Sequence, residues 1–84
     1  MLTILLFARL REAAGIDRLQ LPDPAAPVAL RAICQQLQAH DGRIAEALAA
    51  TPQLRAAINQ RMVGMEALVQ AGDEIAFFPP VTGG

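Results

Sequence analysis

The run GDEIAFFPPVTGG, Gly72 to Gly84, changes character twice within thirteen residues. From Glu74 to Phe78 it alternates as a strand does, with Ile75 and Phe77 on one face and Ala76 and Phe78 on the other. Ile75 and Phe77 are the better core pair, which leaves Phe78 facing outward. Pro79 and Pro80 then end strand pairing and favour an extended, polyproline-like course, so the chain leaves the sheet in a set direction. Val81, Thr82, Gly83 and Gly84 remain, and at full extension they reach about 13 Å beyond the prolines. Two residues without a Cβ allow the backbone to pass through a narrow channel close to another surface. What such a channel would present is the Gly84 carboxylate.

The opening of the sequence supplies the neighbour of this strand. Leu2 to Leu10 alternates, with Leu2, Ile4, Leu6 and Ala8 in the inward phase and Thr3, Leu5, Phe7 and Arg9 in the outward one. If the first and last strands pair, Phe7 and Phe78 lie on one outer face, and two exposed aromatics beside a chain end form a docking patch. Arg11 to Ile16, with Gly15, reads as a short turn into a second strand at Arg18 to Leu21, completing a hairpin with a wide loop.

Between these ends the pattern becomes helical. Pro27 suits the first turn of a helix, and from Val28 to His40 the apolar Leu30, Ile33, Cys34 and Leu37 fall at i, i+3, i+4 and i+7. Asp41 and Gly42 end that helix, and Arg43 to Ala50 gives a shorter helical segment with Ile44, Ala47 and Leu48 inward. Short strands follow at Leu54 to Asn59 and Met62 to Gly64, and Ala67 to Val69 is an apolar anchor before the last strand. The predicted fold is α+β, a mixed sheet packed on one main helix, forming a single domain over residues 1–84 with 79–84 as an extended tail.

Composition excludes several functions. A net charge of -1 with 18% charged residues provides no basic footprint for nucleic acid, and LTILLF is too short to span a bilayer. One cysteine makes no internal disulfide, and no basic n-region precedes an apolar run, so a reducing cytoplasm is the expected compartment. All seven basic residues are arginine; without lysine side chains, the chain suits the donor role in any conjugation chemistry. A carboxylate is a poor electrophile, so acyl transfer from Gly84 needs prior activation, and no GxxxxGK[ST] loop is present to perform it.

These residues carry a family resemblance. GDEIAFFPPVTGG, with FARLRE at Phe7 to Glu12 and INQ at Ile58 to Gln60, closely resembles the small, sulfur-carrier subunits of molybdopterin synthase. The resemblance implies a ubiquitin-like β-grasp fold. It implies that Gly84 is adenylated by an ATP-dependent activating enzyme, resembling those that activate ubiquitin, and becomes a thiocarboxylate with sulfur from a donor protein. The tail, Pro79 to Gly84, would then enter the large synthase subunit and give sulfur to a cyclic pyranopterin phosphate. No stably bound cofactor is implied. Phe7 and Phe78 correspond to aromatics at the docking surface, Arg11 to a basic contact near the activating enzyme, and Met62 to an apolar interface position.

The other polar and reactive residues have plainer readings. Cys34 lies on the apolar stripe and is expected to be a buried, inert thiol. His40 ends a helix, and with no second histidine a metal site is not expected. Glu12, Asp73 and Glu74 read as turn charges and Asn59 and Gln60 as turn formers. Two other functions remain open: a carrier feeding thiazole or another sulfur product or modifying proteins, and a β-grasp interaction module whose diglycine end is incidental.

Overall fold

The computed structural model describes residues 1–80, so the expectations for Val81, Thr82, Gly83 and Gly84 lie outside the described residues. Five strands form one mixed sheet in the order β2-β1-β7-β4-β5, where β1 is Leu2–Leu6, β2 Arg18–Leu21, β4 Arg55–Ile58, β5 Arg61–Val63 and β7 Glu74–Phe78. The central pair, β1 and β7, is parallel, with Ile4 opposite Ile75 and Leu6 opposite Phe77; the other pairings are antiparallel. A second, two-stranded sheet joins β3, Val28–Ala29, to β6, Leu68–Val69. This is the ubiquitin-like β-grasp arrangement, with first and last strands side by side at the centre and a helix crossing one face.

Three helices cover that face: α1, Ala8–Ala14; α2, Leu30–His40; and α3, Gly42–Ala49. The inward phase of the strands meets them in one core, where Leu2, Ile4, Ile75 and Phe77 are fully buried together with Leu30, Ile33 and Leu37 of α2 and Ile44 of α3. Each such side chain contributes about 1.5–3 kcal/mol by leaving water, which makes this layer the main source of stability.

Two expectations are corrected here. The first strand stops at Leu6 rather than Leu10, and Arg11 to Ile16 is not a simple turn, because Ala8 to Ala14 is helical. The stretch ARLREAA consists of strong helix formers, and its buried residues, Leu10 and Ala14, stand four apart as on one helix face. Gly15 closes the helix at φ 78, its N–H donating to the Arg11 carbonyl at 2.9 Å. The second correction concerns the main helix, which starts at Leu30: Val28 and Ala29 form a strand, so Pro27 precedes that strand instead of opening a helix. Here tertiary pairing displaces local preference. β6 supplies the partner for Val28 and Ala29, and the Ala67 and Met65 carbonyls then accept from the Leu30 and Arg31 N–H groups at 2.8 and 2.9 Å. Those bonds satisfy helix-start donors where the N-cap residue, Ala29, offers no side chain to do so.

The remaining helix and turn readings hold. Asp41 caps α3, its Oδ1 accepting from the Arg43 and Ile44 N–H groups at 2.7 and 3.3 Å, and Ile44, Ala47 and Leu48 are buried. Asn59 and Gln60 form the two-residue connection of the β4–β5 hairpin at φ 50 and 69, the left-handed pair that matches strand twist.

Candidate functional site: the outer sheet face and the exit of the last strand

The outward phase of the sheet is not part of the helix-covered core. A row of cross-strand neighbours runs across it, Arg18, Leu5, Ala76, Ala57 and Met62, one residue from each strand. Leu5 and Ala76 are half-buried, Ala57 is buried by its neighbours, and Met62 is 56% exposed at the sheet edge. The two alanines carry only a methyl group each at the centre of the row, between the longer side chains of Leu5 and Met62.

One step towards the C-terminal end of β7, the face becomes aromatic. Phe78 is half-buried and pairs across the strands with Arg55. Phe7 follows Leu6 as Phe78 follows Phe77, and since Leu6 and Phe77 face each other, the two aromatics occupy the next matching positions on adjacent strands. The Phe7 N–H donates to the Phe77 carbonyl at 3.2 Å, and Phe7 keeps an extended backbone, φ -121 and ψ 156, with its side chain 45% exposed. The chain turns away immediately afterwards, because Ala8 adopts φ 54 and α1 folds back from there. A non-glycine residue in the left-handed region is uncommon, and here it holds Phe7 at the end of a strand instead of inside a helix.

Arg11 is exposed on α1 and joins Phe7 in lining a shallow cavity of about 240 Å³ with Leu5, Leu6, Asp17 and Arg18. Phe7, Arg11 and Phe78 therefore gather beside the end of β7, while Met62 marks the far edge of the same face. Pro79 and Pro80, both half-buried and outside any strand, continue from β7 at this point.

Sequence reasoning passed over Arg18, Arg55 and Ala8. Arg18 and Arg55 were legible only as polar members of their strands, since the cross-strand registers that bring them to this face are tertiary facts. The signal for Ala8 was the change from period two to helical spacing directly after Phe7.

The other residues are structural. Cys34 is part-buried, its Sγ 4.0 Å from Met65 Sδ, and burial raises its thiol pKa, which disfavours the reactive thiolate. Asn59 ties the hairpin to β7: its Nδ2 donates to Asp73 Oδ1 and its Oδ1 accepts from the Glu74 N–H, both at 2.9 Å. No helix among the described residues is long and apolar enough to cross a membrane.

Comparison with known proteins agrees with this architecture. The ThiS family profile matches residues 4–84. The chain is 45% identical to the molybdopterin synthase sulfur carrier subunit of Haemophilus influenzae and 40% identical to that of Escherichia coli, in each case over the whole of both chains. Among solved structures it superposes, with TM-score 0.66 and 21% identity over 99% of this chain and 97% of the other, on a chain from the protein–protein complex of subunits 1 and 2 of the molybdopterin-converting factor of Helicobacter pylori. With its inward and outward sheet faces, its crossing helix and this match along nearly the whole sequence, the chain belongs to the ThiS family.

Proposed function

We propose that this chain is the sulfur carrier subunit of a molybdopterin synthase and that its reactive group is the carboxyl group of Gly84. The observation that carries the reading is the placement of Phe7 and Phe78 on the outward side of the sheet, directly beside the point where Pro79 leaves β7. A partner that docks on those aromatics receives the tail in a fixed direction. In this reading the partner is the large synthase subunit: the relatives are named as one subunit of molybdopterin synthase, and the Helicobacter pylori neighbour comes from a complex of subunits 1 and 2.

The chemistry divides between proteins. An ATP-dependent activating enzyme joins the Gly84 carboxylate to AMP and releases pyrophosphate. A hydrosulfide equivalent from a sulfur donor protein then displaces AMP, leaving the thiocarboxylate. Within the large subunit the thiocarboxylate sulfur forms a C–S bond to a side-chain carbon of the cyclic pyranopterin phosphate as a C–O bond at that carbon breaks, its oxygen leaving on the phosphate or as water. Water then cleaves the acyl C–S bond of the thioester, restoring the Gly84 carboxylate and leaving the sulfur on the pterin. Two such transfers build the dithiolene. This chain's own contribution is delivery: Phe7, Phe78 and Met62 dock, Arg11 contacts the activating enzyme, Pro79 and Pro80 set direction, and Val81, Thr82 and Gly83 thread the terminus.

Deleting Gly84, or adding one residue after it, tests the reading. Both variants should melt as the parent does yet fail to restore cofactor production in carrier-deficient cells. Restoration by a terminally blocked chain would overturn it.

A further inference from the structure

We infer that Arg18, with Arg11, and Arg55 form a two-sided rim around the outer sheet face, and that the partner surface docking there carries carboxylates at two separate places. The inference rests on the docking reading above and specifies the chemistry of the large subunit's contact surface.

The two sides of the rim are fixed by strand register. Arg18 on β2 is the cross-strand neighbour of Leu5, and Arg55 on β4 is the neighbour of Phe78. Three strand spacings separate β2 from β4, which puts their backbones about 14 Å apart with the apolar stripe between. Arg11 reinforces the β2 side through the cavity it shares with Arg18.

These guanidinium groups are exposed and uncommitted within the described residues. The ion pairs there join the Met1 amine to Asp23 and Arg31 to Glu66, and none involves Arg11, Arg18 or Arg55. Asp17 lines the cavity beside Arg11 and Arg18 without pairing to either, and Glu74 lies on the same outward phase beside Thr3, away from the aromatic end. The chain as a whole carries a net charge of -1, so this concentration of positive charge runs against its overall sign.

Docking an apolar surface onto the stripe would strip water from both sides of the rim. An arginine that lost its hydration without gaining a carboxylate would oppose binding, so a partner that seats on the aromatics must supply acidic groups opposite each side. Planar guanidinium groups suit two-point contact with carboxylates, and rim charges act mainly on association rate and partner choice.

Binding of the full chain to the purified large subunit, measured across a salt series, tests this. The double variant R18E/R55E should bind at least about tenfold more weakly, chiefly through slower association, and R18Q/R55Q should show a flatter salt dependence than the parent. R31E, on α2 away from this face, should bind as the parent does. If R18E/R55E binds with parental affinity and salt dependence while Phe78→Ala binds weakly, the rim is inert and the docking reading stands. If Phe78→Ala also binds as the parent does, the docking reading falls and this inference with it.

Discussion

Phe77 and Phe78 are adjacent in sequence and opposite in environment: Phe77 is fully buried against the helices, whereas Phe78 lies half-buried on the outward face beside Arg55. The alternation of a single strand sends one ring into the core and the next to the outer face.

Exchanging each for alanine should separate the two roles. Phe77→Ala removes a fully buried ring from the centre of the core and should cost about 3–5 kcal/mol in urea unfolding, enough to threaten folding of a domain this small. Phe78→Ala should cost under about 1.5 kcal/mol while weakening binding to the large subunit by tenfold or more, as loss of an aromatic anchor does. Comparable destabilisation by both would place Phe78 in the core.

The β4–β5 turn offers a test of backbone strain. Asn59→Ala deletes two hydrogen bonds to the start of β7 and leaves alanine at φ 50, so a loss of about 1–2 kcal/mol is expected. Gln60→Gly should be neutral or stabilising, because glycine occupies φ 69 without the steric cost that glutamine bears there. The urea midpoint should fall for Asn59→Ala and hold or rise for Gln60→Gly, and losses in both would contradict the turn assignment.

Asp23 joins three parts of the fold: its Oδ2 accepts from the Met1 amine and its Oδ1 from the Gly72 N–H, each at 2.9 Å. The hydrogen bond from the amine, then that from Gly72, hold its carboxyl below the usual aspartate value. A carboxylate lowered on folding stabilises the native state above its unfolded pKa, and that contribution fades as pH falls through the lowered folded value. Thermal melts of Asp23→Asn should therefore lie below those of the parent at about pH 6 and converge with them as the pH falls below the ordinary aspartate value through the lowered one. A gap that persists undiminished in acid would assign the effect to something other than the carboxylate charge.

Much of this molecule was legible before folding. Period-two alternation announced β7 with its inward Ile75 and Phe77, the spacing of Leu30, Ile33 and Leu37 announced α2, and the residues at the chain end carried the family. Solvent sorts side chains in this way, and the sorting leaves a local pattern. Two element boundaries depart from the local pattern for one reason. The alternation of Leu2 to Leu6 runs on past Phe7 into residues with high helix propensity, and Val28 and Ala29 are continuous with the helical run after them.

Neither boundary could be settled locally. The end of β1 depends on Phe7 bonding to Phe77, and the start of α2 depends on carbonyls from Met65 and Ala67, residues more than thirty positions distant. The placing of Arg18 beside Leu5 and of Arg55 beside Phe78 has the same origin, since a local pattern does not specify which strands become neighbours. Local chemistry chose the elements and faced their apolar sides inward; long-range hydrogen-bond register decided where each element stops and which outward residues stand together.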